Sequence, residues 1–288
     1  MVLFKQQCIE LRKCDYTLGE IVKITRRPKT SVYAHIRNIP LSKSRWDLIR
    51  AAHKVRALQL AAGRRGKSSR TFKKFSSWDT DMVSLVSHLI FDGEIKRGGC
   101  VYFNRNLPLV KRVEGCMRKI YAYEPRRWKD KLTGVHRISY FNVALVIYLQ
   151  GKAMNLLADI HQLPIELKKE FIRSFFDDEG CMDFRQSRNL RQIRGYQKNV
   201  EILHVIQRTL ADIGIASAVV SPNEVKIVGK ENLLKFQREI NFSPGVRING
   251  DRPNSVWKQH LEKREILRRA IESYKPLGSN GVHRTLTT

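Results

Sequence analysis

Acidic residues are scarce in this sequence, and paired cysteines and long apolar runs are scarce as well. Asp and Glu number 27 against 54 Lys and Arg, which gives a formal net charge of +27 over 288 residues. An excess of that size repels itself in the compact state and attracts polyanions. Nucleic acid is therefore the leading partner, with an anionic membrane surface as the alternative.

Three further absences narrow the class of protein. The most apolar run, Tyr140 to Leu149, is shorter than the roughly 20 residues that a bilayer-spanning helix needs. The first residues, MVLFKQQCIE, lack the layout of a signal peptide. The 5 cysteines are odd in number and form no CxxC pair, so neither a disulfide framework nor a zinc site is expected. We expect an intracellular, cytoplasmic and nucleoid-associated protein with no membrane partner.

The chain is long enough for about two domains of about 150 residues each. Residues 1–62 read as a compact helical domain. The stretch RRGKSSRTFKKF contains six Lys or Arg and no acid, which predicts a basic linker over 63–77. This linker either contacts phosphate or is a solvated spacer.

Two segments then repeat one pattern, and we place them at 78–163 and 164–250, followed by a C-terminal helix and tail over 251–288. Each repeat opens with a helix that ends in acid-Gly, DMVSLVSHLIFDG in the first and ELKKEFIRSFFDDEG in the second. The two acids, Asp92 and Glu179, are 179 − 92 = 87 residues apart. A serine lies five residues before each acid, where a small side chain lets another helix approach closely.

An acid at a helix C-terminus meets the negative end of the helix dipole, and two such acids brought together also repel each other. A cation would offset both costs. Oxygen ligands on a protein that handles phosphate favour Mg²⁺, with Mn²⁺ as the substitute. The alternative is that Asp-Gly and Glu-Gly merely stop two helices and begin turns.

LVSHLIFDG (85–93) and IRSFFDDEG (172–180) resemble the two motifs of single-chain LAGLIDADG homing endonucleases. The resemblance covers about 78–274 and implies an α+β fold: two pseudo-symmetric α-β-β-α-β-β-α repeats packed through their motif helices. It also implies that Asp92 and Glu179 bind the metal together with the backbone carbonyls of Phe91 and Asp178. The first motif departs from the family pattern at His88 and Phe91. Of these, His88 reads more readily as a core residue than as a catalyst.

Basic residues on later strands of the family tune the hydrolytic water or stabilise phosphate charge, and Arg137 and Lys226 hold comparable positions here. Simple phosphate or surface contact is the alternative for both. Around the strands, Arg, Gln and Asn are interspersed, and these side chains read base edges in the major groove. The residues expected to contact DNA in the repeats are Lys96, Arg97, Arg105, Arg185, Arg188, Arg191, Arg194 and Lys198, with Tyr102, Asn104 and Asn106 on the same arm of the first repeat.

The segment from Tyr16 to Pro40 resembles a helix-turn-helix of the resolvase-like kind, so a small all-α DNA-binding domain precedes the repeats. A purely structural helical hairpin is the alternative. The residues expected on the recognition helix are Lys29, Thr30, Ser31, Tyr33 and Arg37.

Together these features predict a monomeric, metal-dependent endonuclease, free-standing or intron-encoded. It would cut double-stranded DNA at a long, nearly asymmetric target. Two alternatives stay open: a DNA-binding regulator that keeps the fold without cleavage, and a maturase whose partner is intron RNA.

Overall fold

The computed structural model describes residues 2–62, 70–253 and 255–274. Tertiary contacts divide the chain between residues 69 and 70 into an N-terminal and a C-terminal unit. The helices are α1 (Val2–Lys13), α2 (Leu18–Thr25), α3 (Lys29–Ile36), α4 (Lys43–Ala62), α5 (Thr80–Phe91), α6 (Leu107–Ile120), α7 (Val143–Asp159), α8 (Ile165–Glu179), α9 (Val200–Asp212), α10 (Lys230–Glu239) and α11 (Lys263–Glu272). The strands are β1 (Gly93–Lys96), β2 (Gly99–Asn104), β3 (Arg126–Lys129), β4 (His136–Tyr140), β5 (Gly180–Arg185), β6 (Leu190–Tyr196), β7 (Ala218–Val220) and β8 (Glu224–Val228).

The N-terminal unit is built from α1 to α4. Thr17 and Glu20 form a capping box at the start of α2, in which each side chain accepts from the other residue's backbone N–H. Arg26 ends α2 in the left-handed conformation, with φ of 53°, and Pro28 precedes α3. The small core consists of Cys8, Ile21, Val32 and Ile36, with Phe4, Leu11, Leu18 and Val22 partly buried against it.

The C-terminal unit contains the two repeats, and each has the element order α-β-β-α-β-β-α. Each repeat has one antiparallel four-stranded sheet, ordered β1-β2-β4-β3 in the first and β5-β6-β8-β7 in the second. The predicted α+β fold with two such repeats is confirmed.

The strand registers define which residues of the two repeats are equivalent. In the first sheet Gly93 pairs with Tyr102, and Tyr102 pairs with Ile138. In the second sheet Gly180 pairs with Gly195, and Gly195 pairs with Val225. Tyr102 and Gly195 therefore hold equivalent positions.

Helices α5 and α8 pack against each other between the repeats. Ser87 and Ser174, which the sequence analysis identified as small residues at a close crossing, are both fully buried. The ring of Phe91 packs on Phe171 and Phe175, with centroid distances of 5.4 and 5.1 Å. Helix α5 thus reaches into the core of the second repeat.

The predicted basic linker differs from the structure at its C-terminal end. Residues 63–69 lie outside the described residues, but 70–77 pack on the first repeat. The hydroxyl of Tyr148 accepts from the N–H of Phe75 and donates to its carbonyl, at 2.8 and 3.1 Å. The ring of Phe72 lies 5.3 Å from that of Tyr148. These aromatic contacts exclude a solvated spacer for this part of the segment.

The apolar run that begins near Tyr140 continues further than predicted. The helical segment Val143–Gln162 is long and apolar enough, by length and composition, to cross a membrane. One of its faces carries Leu145, Val146, Leu149 and Leu156, which are buried in the core of the first repeat. The opposite face, with Ile147 and Met154, is exposed, so the helix packs on the domain along one face.

The helix predicted within 251–288 spans only Lys263–Glu272, and residues 275–288 lie outside the described residues. Before it, the N–H of Ile248 donates to the carbonyl of Leu261, at 3.0 Å. Helix α11 packs against α10 and β5, with Ile266, Leu267 and Ala270 fully buried. The second repeat therefore includes α11 in its core.

Candidate functional site

Asp92 and Glu179 lie where the two motif helices end. Asp92 follows the last residue of α5, and its N–H donates to the carbonyl of His88. Glu179 is the last residue of α8. A Cβ on Gly93 would lie 2.6 Å from the Cα of Leu89, and one on Gly180 would lie 2.5 Å from the carbonyl oxygen of Phe176. Only glycine fits the passage from each helix into its strand, so the acid is fixed as the last side chain before the turn.

Both acids are hard to ionise in this setting. Burial, the Asp178 carboxylate and the Glu179 carboxylate raise the pKa of Asp92 to about 7. Burial and Asp178 raise the pKa of Glu179 to about 7. Clustered carboxylates with raised pKa values are typical of sites that bind a cation or transfer protons.

Asp178 is held by side chains from the opposite repeat. Its carboxylate accepts from the hydroxyl of Tyr102 at 2.7 Å and lies 2.8 Å from Nδ1 of His88. Asn104 donates to Asp178 at 3.3 Å and to Asp92 at 2.7 Å, so one amide bridges the acids of the two repeats. Burial disfavours the imidazolium of His88, yet the Asp178 carboxylate raises its pKa above the ordinary value.

These contacts correct one sequence interpretation and add to another. Tyr102 and Asn104 were expected to contact DNA, but both are buried on the face of the sheet that covers α5 and α6. Strand alternation places them with Cys100, on the inner face of β2. The metal-binding role of the Asp178 backbone carbonyl stays a prediction, and the structure adds that the Asp178 side chain lies at the centre of the network.

Lys263 is a site residue that sequence reasoning missed. Its Nζ donates to the backbone carbonyls of Phe176 and Asp177, at 3.1 and 2.6 Å. Burial lowers its pKa, and the carboxylates of Asp177 and Asp178 oppose that shift. No local motif marks this residue, because it follows Glu179 by 263 − 179 = 84 residues.

The donor set fits a metal that keeps part of its own hydration. Within the described ranges, no group of three or more His, Cys, Asp or Glu side chains is arranged to hold a metal ion. Mg²⁺ is commonly bound by one or two carboxylates, with water and phosphate oxygens completing the shell. Asp92 and Glu179 supply such a pair, whereas Phe91 can offer only its backbone carbonyl because its side chain has no oxygen.

Arg137 and Lys226, the two predicted basic residues, do not hold equivalent positions. Arg137 pairs with Phe103, and by register its counterpart in the second sheet is Glu224. Lys226 pairs with Arg194, and its counterpart is Ser139. Arg137 is exposed, and Lys226 lies 3.6 Å from a carboxylate oxygen of Glu224.

The basic residues of the second sheet divide into two groups. Arg188 and Lys198 are exposed at turns. Arg185 and Arg194 lie on the outer face but are paired with acids, Arg185 with Asp183 and Arg194 with Asp183 and Glu224.

Arg191 departs from the prediction of groove contact. It shares the inner face of β6 with Ile193. Its guanidinium donates to the hydroxyl and carbonyl of Ser273 and lies 4.7 Å from the centroid of the Tyr274 ring. The side chain is therefore used within the protein.

In the first sheet Lys96, Arg97 and Arg105 are exposed, and Lys96 is paired with Glu94 at 2.7 Å. In the N-terminal unit the predicted recognition residues are all exposed on or next to α3: Lys29, Thr30, Ser31, Tyr33 and Arg37. Apart from the paired Lys96, these groups are available for phosphate or base edges.

Residues 166–241 match the family model of the LAGLIDADG-like domain. Among proteins of curated function, no match is found. Similar solved structures include the homing endonuclease I-DmoI in complex with DNA and Ca, with 17% identity, TM-score 0.41 and coverage of 57% of this chain and 91% of that chain. The N-terminal LAGLIDADG domain of WhiA has 15% identity, TM-score 0.45 and coverage of 60% and 88%. Full-length WhiA from Thermotoga maritima has 16% identity, TM-score 0.45 and coverage of 72% and 65%.

Proposed function

We propose that this chain, whose second repeat is a LAGLIDADG-like domain, is a metal-dependent endonuclease that cuts double-stranded DNA at a specific site. The family match over 166–241 confirms the resemblance seen in the second motif. The observation that carries the proposal is the pair Asp92 and Glu179, two partly buried carboxylates at the ends of packed helices, each with its pKa raised to about 7.

The charge of the chain supports DNA as the substrate. A formal net charge of +27 favours binding to a polyanion, and exposed basic residues occur on the turns of both sheets. Arg, Gln and Asn among them provide the groups that read guanine and adenine. Helix α3 presents a further exposed set, which we assign to a second contact with DNA.

Within the site, each residue has a task that its contacts support. Asp92 and Glu179 would hold Mg²⁺ or Mn²⁺, which supplies Lewis acidity and an activated water when bound. Asn104 fixes the carboxylate of Asp92 through its amide N–H. His88 and Tyr102 orient Asp178, which keeps the end of α8 against the first repeat. Lys226 stands on the outer face of its sheet, where it would stabilise phosphate charge.

Loss of cutting in Asp92→Asn, with DNA binding intact, is the direct test. The protein is incubated with a randomised duplex library and with Mg²⁺ or chelator, and double-strand breaks are counted by sequencing. We expect metal-dependent breaks from the wild type and at least about a hundredfold fewer from the variant. Glu231→Gln, an exposed acid on α10, is the matched control and should cut normally.

Two other results would replace the proposal. If the wild type binds duplex DNA and cuts no target in any metal, the chain is a DNA-binding regulator. If it prefers structured intron RNA to duplex DNA, it is a maturase. Whether the chain is an endonuclease or a DNA-binding regulator, its affinity for duplex DNA should fall steeply between about 50 and 200 mM salt, because phosphate contacts release counterions.

A further inference from the structure

The ammonium of Lys263 is buried beneath the end of the second motif helix. The residue is 6% exposed, and its Nζ donates to the carbonyls of Phe176 and Asp177 and lies 5.6 Å from the Phe242 ring centroid. Burying an ammonium is costly unless charges or hydrogen bonds around it offset the loss of water. The two carbonyls offset part of that loss, and the acids near the ammonium offset a further part.

The end of α8 provides that negative charge. The helix finishes with three successive acids, Asp177, Asp178 and Glu179, and Asp92 approaches from the other repeat. The helix C-terminus adds the negative end of its dipole. The two carbonyls that bind Lys263 belong to the last turn of α8, and that of Phe176 also accepts from the N–H of Gly180, the residue after the helix.

Lys263 is fixed in place by its own backbone and by the rest of α11. Its N–H donates to the carbonyl of Val246 at 2.9 Å, next to the bridge that pairs Arg247 with Glu262. Ile266 and Leu267, in the following turn, are fully buried. The ammonium is thus held beneath α8 by the fold and needs no ligand to bring it there.

We propose that Lys263 is a positioning residue, a resident counter-charge that holds the end of α8, and with it Glu179, in place while no divalent cation is bound. This inference rests on the proposed function for the role of the cation. It also assigns a part in the site to α11, which lies beyond the family match at 166–241. A purely structural lysine would cap the two carbonyls without any link between its charge and the acids.

The test compares Lys263→Met with Arg264→Met, which removes one charge from an exposed neighbour on the same helix. Melting temperatures are measured for the full chain in chelator and across a Ca²⁺ titration, with Ca²⁺ as a probe that needs no cleavage. For Lys263→Met we expect a lower melting temperature in chelator and a Ca²⁺-induced rise at least about twice that of the wild type. The Ca²⁺ concentration at half of that rise should fall by about threefold or more, because a repelling charge is gone. Arg264→Met should match the wild type.

A second pair of variants separates charge from capping. In chelator, Glu179→Gln should restore part of the melting temperature lost in Lys263→Met, and Lys263→Arg should keep most of it. If the loss is the same with and without Ca²⁺ and Glu179→Gln restores nothing, Lys263 is only a cap and the proposal fails. If Lys263→Met does not fold, the double variant Lys263→Met with Glu179→Gln must fold in clearly better yield. Equal failure of both variants would overturn the proposal that Lys263 acts as a counter-charge.

The outcome is distinguishable from failure of the proposed function. A wild type that shows no response to Ca²⁺ and no cleavage would count against the metal site. The rescue of Lys263→Met by Glu179→Gln is measured as a melting temperature in chelator. It therefore tests the counter-charge role of Lys263 without depending on metal binding or cleavage.

Discussion

The two repeats share one fold, but at equivalent places of their interface one contact is apolar and the other is polar. Because equivalent motif residues are 87 apart, His88 corresponds to 88 + 87 = 175 and Phe91 to 91 + 87 = 178. The packed helices therefore make the same contact twice, once as Phe91 on Phe175 and once as His88 on Asp178. The first is a pair of rings 5.1 Å apart, and the second is a buried pair at 2.8 Å.

The sheets adjust to this difference. At equivalent positions the first repeat has Tyr102 and the second has Gly195. A Cβ on Gly195 would lie 2.4 Å from the ring of Phe175, so a large side chain there is excluded. Tyr102 instead lies edge-on to His88, with centroids 5.6 Å apart. The unusual residue His88 in the first motif is therefore matched by Tyr102 in its sheet, just as Phe175 in the second motif is matched by Gly195. The polar contact places a carboxylate beside Glu179, and the apolar contact places a ring beside Asp92.

The largest effect is expected from breaking the apolar contact. Phe91→Ala opens a cavity between Phe171 and Phe175 and should cost about 3–4 kcal/mol in the free energy of unfolding. Phe91→Leu, which keeps most of the volume, should cost about 1 kcal/mol. Urea denaturation measures both, and equal costs would show that the ring makes no specific contact.

Breaking the polar contact should have the next largest effect. Asp178→Ala removes the acceptor of His88 and Tyr102 and should cost about 2–3 kcal/mol, with relief of repulsion on Asp92 and Glu179 offsetting part of the loss. The double variant His88→Leu with Asp178→Ala should recover at least about half of that cost, because no buried imidazole is left unpaired. Urea midpoints give the comparison, and a double variant less stable than Asp178→Ala would contradict the pairing.

The pH dependence of stability should distinguish Asp92 from an ordinary acid. A carboxyl whose pKa is about 7 in the folded protein and about 4 in the unfolded chain binds its proton more tightly when folded. Its unfavourable contribution therefore grows as the pH rises from about 4 to about 7. In chelator, the wild type should lose about 1–2 kcal/mol more than Asp92→Asn between about pH 5 and pH 8. Glu231→Gln serves as the reference. If the curves of stability against pH for the wild type and Asp92→Asn are parallel, this prediction is wrong.

The smallest effect compares two arginines of the second sheet. Arg188 is exposed at a turn, whereas Arg191 is bound to Ser273 on the inner face. Arg188→Met should weaken duplex binding by about threefold and lower the salt dependence by about one counterion. Arg191→Met should leave DNA affinity unchanged and lower stability instead. Fluorescence anisotropy at several salt concentrations measures the binding, and the reverse order would show that the faces are wrongly assigned.

Much of the fold was predictable because its signals are local. The apolar stripes of the motif helices, the acid-Gly endings and the separation of 87 residues predicted two similar units. The register then confirmed one topology for both sheets. Prediction was weaker for segments whose structure depends on distant contacts. The predicted linker is one of them, because Phe72 and Phe75 pack on the first repeat.

The sequence by itself determined which acids end the motif helices, because an acid followed by an obligatory glycine is read from neighbours along the chain. It also determined the excess of positive charge that favours a polyanionic partner. Only the tertiary structure decided what surrounds those acids: Asn104 between Asp92 and Asp178, Lys263 beneath α8, and Arg191 turned to the inner face. The reason is physical, since all but the Asn104–Asp92 contact, which spans 12 positions, join residues 74 to 86 positions apart. The contacts of Asn104 and Arg191 also depend on which face of a strand the residue occupies. Both are set by packing and register, and neither is set by the local pattern of side chains.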